Sequence, residues 1–368
     1  MMKVLQISAG SVYRGLEKQQ FEWLCNINNI KFDFISPSKN TYKEKKKQME
    51  KLGANVYDLN MDNCNKLNKI KFINRLYKFL KNNKYDAVHI NCTAFITSFL
   101  MVFVSKLTHQ KRIIVHSHND NLNNIKYLRK IIFIMLNPLY NRMIDDVISC
   151  SEKATYSLLT KNNIKKRKVY ILKNGIDIDK YKYNVKIRNK YIQKYHLEGK
   201  TVYGHVGAFD KVKNHELLID IFYKIQQQQD SVLLLVGEGI LQNKIKNKIK
   251  KLNIENKVVF LGFREDVDKL LNCMDIFIFP SFSEGLGTSI IESQTNGLIT
   301  YCSKGIQKEA NISPFFRYFD LNENLDVLVG KIIKEKKVKR EDAYEYTKEN
   351  GYDIKDVCGK LVQIYKKD

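Results

Sequence analysis

Residues 275–297 read DIFIFPSFSEGLGTSIIESQTNG. The stretch opens on four apolar residues, Ile276-Phe277-Ile278-Phe279, and stops at Pro280. Proline has no N–H to give to a ladder, so the run reads as a buried strand ending at Phe279. A polar loop follows over 281–288, with glycines at 285 and 287, and then a short helix over 289–295 closed by Asn296-Gly297 as a C-cap. Strand, glycine loop and helix N-terminus together turn free backbone N–H groups toward an anion. Two carboxylates stand in this frame, Glu284 in the loop and Glu292 on the helix. A carboxylate beside a phosphate site repels the phosphate. Both acids make sense if they bind another part of the same ligand, such as sugar hydroxyls; the bland alternative is a surface loop with two solvated acids.

Working outward, 368 residues suggest two domains with substantial cores. Aromatic content is 11%, which argues against a disordered chain. Seven cysteines show no CxxC or Cys/His ligand spacing and read as reduced thiols of a cytosolic protein. The opening MMKVLQISAG is too short and polar for a signal peptide. The longest uncharged apolar stretch, 94–105, falls short of the ~20 residues that cross a bilayer and is expected as a buried helix. Net charge is +24 and uneven: residues 1–175 carry 31 Lys/Arg against 12 Asp/Glu, residues 176–368 carry 32 against 27. A basic first half fits nucleic acid, or an anionic membrane with a phosphorylated acceptor. No helix-turn-helix, zinc or RNP pattern supports nucleic acid.

The first half alternates strands and helices. Strands are expected at 4–7, 32–36, 55–59, 85–90, 113–115, 146–150 and 169–172, and helices at 16–26, 43–52, 67–81, 94–107, 126–143 and 152–160, the last capped by Ser151. That alternation implies a parallel sheet covered on both faces. A glycine loop, 8–15, follows the first strand. His116-Ser117-His118-Asn119-Asp120 follows the fifth, at the carboxyl end where open α/β sheets bind ligands. Zinc needs further ligands that the neighbourhood does not supply. Segment 126–143, KYLRKIIFIMLNPLYNRM, is basic and strongly apolar, with a kink expected at Pro138. It fits contact with a membrane surface, or an ordinary amphipathic core helix.

A boundary is expected near 175, with a linker to about 199. The second half repeats the alternation: strands at 202–207, 232–236, 257–261, 276–279 and 299–301, helices at 216–226, 240–252, 289–295, 324–337 and 352–365. Gly237-Glu238-Gly239 follows the second of these strands. Asp266 and Asp268 are expected to open a helix rather than bind a metal.

Glu284 and Glu292, with the proline, the paired glycines and the helix around them, resemble the Glu-x7-Glu signature of the GT4 family of retaining glycosyltransferases. Other landmarks agree. Arg14-Gly15-Leu16-Glu17 resembles the family's opening Gly-Gly-Ala-Glu, with Arg14 in place of a glycine. VHSHN at 115–119 resembles the His-Ser-His-Asn of capsule and exopolysaccharide enzymes. Asn174-Gly175-Ile176-Asp177 resembles the family's domain junction. In the segment 204–215, Lys213 matches the family's lysine, but Ala208 stands where the family has arginine. A lost cation beside a diphosphate leaving group is a serious departure.

The resemblance implies an α/β protein of GT-B fold, two Rossmann-like domains facing across a cleft. The domains would be 1–175 on the acceptor side, 176–345 binding the nucleotide sugar, and 346–368 a helix crossing back. It implies a retaining, metal-independent hexosyltransferase with no cofactor. The donor would be a nucleotide sugar, UDP-linked by preference over GDP; the acceptor a glycan or polyprenyl-diphosphate-linked glycan. Glu284 and His118 would be the catalytic contacts, and Glu292 would hold the ribose. Gly15, Lys213, Phe263, Arg264, Gly285, Leu286 and Gly287 would line the donor, with Phe263 near the base and Arg264 at phosphate. Arg14, Asn91 and His116 fall on the acceptor side. The setting would be cytoplasmic, peripheral to the inner face of the plasma membrane. Alternatives are a GT-B epimerase or phosphorylase, and a non-catalytic binding subunit, motivated by Ala208.

Overall fold

Apolar runs of four to seven residues, spaced by helices, can bury both of their faces only in a parallel sheet sandwiched between helix layers. The computed structural model describes residues 1–8, 15–38, 41–43, 45–59, 66–92, 94–118, 127–284, 286–336 and 338–367. It forms two such sheets. Strands β1 (Met2–Ile7), β2 (Ile30–Ser36), β3 (Asn55–Asp58), β4 (Ala87–Cys92), β5 (Ile113–Ser117), β6 (Asp146–Ser149) and β7 (Val169–Ile171) make the first. They pair in parallel in the order β3-β2-β1-β4-β5-β6-β7. Strands β8 (Thr201–Val206), β9 (Ser231–Val236), β10 (Val258–Gly262), β11 (Ile276–Phe279), β12 (Ile299–Ser303) and β13 (Phe316–Phe319) make the second, in the order β10-β9-β8-β11-β12-β13. Both are Rossmann orders. In each the winding reverses beside the first strand, between β1 and β4 and between β8 and β11, which opens a crevice at the strands' carboxyl ends.

The chain divides into two compact units, Met1–Gly175 with Ile354–Asp368, and Ile176–Asp353. In the first, alternate residues of each strand feed opposite cores. Leu5, Ile7, Val88, Ile90 and Val115 meet the helices Lys66–Asn82, Phe95–Leu107 and Tyr127–Met143. Val4, Phe32, Phe34, Ala87 and Ile114 meet the helices Gly15–Asn26 and Ile354–Lys366. That last helix buries Ile354, Val357, Cys358, Leu361, Ile364 and Tyr365, a stripe at helical spacing.

The structure departs from the sequence-based expectations at several elements. Residues 176–199 are not a linker. They form the helices Ile178–Tyr181, capped by Asp177, and Val185–Lys194, capped by Asn184, and Tyr181 and Tyr191 lie in the second unit's core. The fourth strand starts and ends two residues later than expected, so Asn91 sits inside β4. The segment expected as a buried helix, Phe95–Leu107, buries one face only. Strand β13, Phe-Arg-Tyr-Phe, is additional to the expected strands; its two central residues, polar or half exposed at a sheet edge, blur the apolar pattern. Residues 152–164 hold two short helices, Glu152–Thr155 and Lys161–Ile164. Ser151 caps the first, accepting from the Ala154 N–H at 3.2 Å. Asp266 stands at the N-cap position of Val267–Cys273, so the expected helix start is found there.

Candidate active site

In the second unit the crevice between β8 and β11 is lined by the loops that leave those strands. The Phe282 N–H donates to the Val212 carbonyl at 2.9 Å, tying the two loops together. Asp210 accepts from the Lys213 N–H at 3.2 Å and shapes the first loop. Lys213 then reaches across, its ammonium over the Phe279 ring at 4.6 Å and ion-paired with the Glu284 carboxylate. Both members are only partly exposed, so the pair is a built feature and not a loose surface contact.

The helix that follows is Thr288–Thr295, with Gly287 as its N-cap at φ +60°. A Cβ at Gly287 would lie 2.9 Å from Ile290 Cδ1 and 3.2 Å from Glu284 Cγ, so glycine is required for both conformation and space. Among the described residues no side chain caps this helix; the Ile290 N–H donates to the Gly287 carbonyl at 2.9 Å, which leaves the Thr288 and Ser289 N–H groups to a ligand or solvent. Leu286 packs on the unit's core, and Glu292 is buried on the helix. The helix ends at Asn296, with Gly297 at φ +77°.

The loop after β9 explains Gly237-Glu238-Gly239. A Cβ at Gly237, where φ is +130°, would lie 2.2 Å from the Gly207 carbonyl oxygen. The Phe209 N–H donates to the Glu238 carbonyl at 3.0 Å. These glycines let one backbone lie directly beneath the loop that holds Ala208 and Lys213. Behind that loop sit two buried histidines that the sequence did not single out. His205 donates Nδ1–H to the Ile278 carbonyl at 2.8 Å, and His215 stacks on Phe209 with centroids 4.1 Å apart. Burial holds His215 down at about 4 and His205 well below its ordinary value. Both rings are neutral at pH 7, so neither replaces the missing arginine.

Nor is Arg264 a free cation. Its guanidinium makes two 2.7 Å hydrogen bonds to Asp266, which also accepts from the Tyr191 hydroxyl at 2.7 Å. The Arg264 contact holds the Asp266 carboxyl well below the usual range, and Asp266 in turn raises Arg264. Phe263 beside it is half exposed, and its N–H donates to Glu238 Oε1 at 3.3 Å.

In the first unit one face of the sheet carries a polar row. Gln6 on β1 pairs in register with His89 on β4, and Asn91 pairs with His116 on β5; the two-residue period puts all four on one face. His89, His116 and Trp23 stack on one another at 5.3–5.6 Å, and His118 lies against His116 at 4.0 Å. His116 is fully buried, with no hydrogen-bond partner for either nitrogen among the described residues. The His116 ring, expected on the acceptor side, is therefore enclosed in this structure and presents no exposed edge. Asn91 is also fully buried and acts on its neighbour instead. Its Oδ1 lies 3.0 Å from His118 Nε2, and its Nδ2 donates to Gln6 Oε1 at 2.9 Å. Gln6 Nε2 donates to the Tyr365 hydroxyl at 2.8 Å, and that hydroxyl lies 2.5 Å from His89 Nδ1.

The amide of Asn91 is oriented by the Ile7 and His89 carbonyls, each 3.5 Å from Nδ2, so its oxygen faces the ring. His118 therefore carries its proton on Nε2. His118 alone of the three histidines is partly exposed, and burial holds it at about 4. Sequence reasoning missed Gln6, His89 and Tyr365. The period-2 row on β1 and β4 was legible, whereas Tyr365 is joined to it only by the fold. Gly15 opens the helix Gly15–Asn26; Arg14 and Gly285 lie outside the described residues. Among the described residues no group of three His, Cys, Asp or Glu could hold a metal ion.

Two family models match the chain. One, described as Glycosyltransferase Family 4, covers residues 29–180; the other, Glycosyl transferases group 1, covers 187–349. The chain belongs to the GT4-type glycosyltransferases. A Bacillus subtilis protein named as a glycosyltransferase, EpsF, is 24% identical over 96% of this chain and 91% of its own length. An Escherichia coli protein named UDP-Gal:alpha-D-GlcNAc-diphosphoundecaprenol alpha-1,3-galactosyltransferase is 25% identical over 64% of this chain and 62% of its own. The structure of HepE from Anabaena in complex with UDP superposes over 99% of both chains with a TM-score of 0.75 at 17% identity. That likeness shows the GT-B fold. Lys213, Glu284 and Gly287 lie together at one crevice, Glu292 is buried on the helix that leaves it, and His118 stands at the carboxyl end of β5 in the other unit.

Proposed function

We propose that the chain is a retaining glycosyltransferase, without metal or cofactor, that moves a hexose or N-acetylhexosamine from a UDP-sugar to a glycan or polyprenyl-diphosphate-linked glycan in surface polysaccharide synthesis. The observation that carries the reading is Lys213 facing Glu284 across the β8–β11 crevice, beside an uncapped helix N-terminus. The diphosphate meets Lys213 and the N–H groups of that helix. Glu292 takes the ribose, Glu284 the sugar hydroxyls, and Phe263 packs on the base. In the reaction the bond from the anomeric carbon to the diphosphate oxygen breaks and the acceptor hydroxyl bonds to that carbon from the same face. Its proton passes to the departing phosphate. No protein nucleophile is needed, and positioning with charge stabilisation supplies the rate. The lipid-linked acceptor is suggested by the E. coli relative's name, and it implies work at the inner face of the plasma membrane.

The test is calorimetric titration with UDP and then GDP, on the native chain and on Glu292→Ala, followed by turnover. Micromolar UDP binding that weakens by ~1–3 kcal/mol in the variant, the scale of a lost charged hydrogen bond, supports the reading. One observation favours a second reading. Ala208 removes a cation; Arg264 is held by Asp266, and His205 and His215 are neutral, which leaves Lys211, exposed in the same loop, and the backbone to compensate. Nucleotide binding without turnover would make the chain a binding subunit for an active transferase.

A further inference from the structure

The helices Phe95–Leu107 and Tyr127–Met143 each carry two apolar faces. One face of each is core. Phe95 meets Phe133 edge-on at 4.7 Å, and the Ser98 and Tyr140 hydroxyls bond at 2.6 Å, which holds the two helices side by side. Asn137 completes the anchorage, donating to the Leu158 carbonyl and accepting from the Thr160 N–H. The opposite faces are not covered by the described residues. On the first helix Ile96, Leu100, Phe103 and Leu107 are exposed, spaced four, three and four apart, a single stripe. On the second, Tyr127, Ile131, Ile134, Met135 and Leu139 form the matching stripe, with Met135 72% exposed. A helix apolar all round belongs in a core or against lipid, and among the described residues one side of each helix faces neither core nor neighbour.

We propose that these two stripes form one docking surface for an anionic phospholipid membrane. Charge selects the occupant. Neither helix contains an Asp or Glu, and Lys106, Arg129, Lys130 and Arg142 are exposed on them. A second copy of this chain would bring the same basic side chains face to face, whereas an anionic bilayer pairs them while burying the stripes. Among the described residues no helix is long and apolar enough to cross a membrane, so the contact lies in the interfacial plane. The inference rests on the proposed function only for its purpose, since a lipid-linked acceptor is met at such a surface.

The test is co-sedimentation with phosphatidylcholine vesicles, with and without phosphatidylglycerol. The chains compared are the native protein, Phe103→Asp with Met135→Asp, and Arg129→Glu with Lys130→Glu. Size-exclusion mass measurement, UDP titration and transfer to a short-chain water-soluble acceptor run in parallel. Binding about tenfold or more stronger to the anionic vesicles is expected. It should fall with salt and be lost in both double variants, while UDP affinity and soluble-acceptor transfer stay unchanged. Equal or absent binding to anionic vesicles overturns the proposal, as does full binding by the Phe103/Met135 variant. A native dimer that this variant splits, with no vesicle binding, assigns the face to a second copy and overturns it too. Failure of UDP binding in the native chain would sink the proposed function and leave the vesicle result standing.

Discussion

Lys213 matches the family's lysine in this loop, and Glu284 neutralises it. On the proposed function, a diphosphate would displace that carboxylate and free Glu284 for sugar hydroxyls. Glu284→Gln removes the competitor while keeping the shape. UDP should bind up to about tenfold tighter to this variant, roughly the worth of one charged hydrogen bond, while sugar transfer falls. Weaker UDP binding would instead make Glu284 a direct ligand of the nucleotide. Legibility at this scale followed local chemistry. The roles of Pro280, Gly287 and Asp266 could be read from their neighbours in sequence. The pairing of Arg264 with Asp266 is readable from their separation of two residues, yet the family resemblance points Arg264 at phosphate and outweighs the nearer carboxylate.

Among the elements, β1, β4 and β5 present Gln6, His89, Asn91 and His116 as a row, and the last helix closes it with Tyr365. This row fixes the tautomer and orientation of His118 through Asn91. Tyr365→Phe removes an acceptor from Gln6 and a donor from His89, both fully buried. The variant is expected to lose ~1–3 kcal/mol of stability in denaturant unfolding, the desolvation of groups left unpaired. Nitrogen NMR of His118 should then show mixed tautomers, whereas an unchanged Nε2–H signal would show that the row does not govern it. Strand and helix existence was legible from period and punctuation, because four-residue apolar runs between amphipathic stretches leave few choices. Strand β13 was not, since Arg317 and Tyr318 interrupt the apolar pattern. The helices of residues 178–194 were hidden because their polar, lysine-rich surface reads as linker.

At the scale of the whole molecule, five neutral histidines set the response to acid. Burial lowers His89 to about 3, His118 and His215 to about 4, and holds His116 and His205 well below the ordinary value. Above the unfolded value near 6.5 neither state binds these protons, and stability is flat. Below it the unfolded chain takes up protons that the folded chain excludes, so stability falls as pH drops toward the folded values. Each fully buried ring contributes ~1.4 kcal/mol per pH unit in that window. Three of the rings lie in the first unit and two in the second, so between pH 6.5 and 4 the thermal midpoint of the first unit should fall further than that of the second. Midpoints that hold steady over this range would refute the assignment.

The return of the helix Ile354–Lys366 to the first sheet has a consequence for how the chain is made. Strands β1 to β7 leave the ribosome early, but the helix that covers Val4, Phe32 and Ile114 emerges only after residues 176–353 have been synthesised. Throughout that interval the nascent first unit carries an open apolar face, the condition under which chaperones bind and chains aggregate. Residues 1–175 expressed alone should therefore be insoluble. Co-expression of residues 350–368 as a separate peptide should restore their solubility, because the missing piece is a surface and not a covalent link.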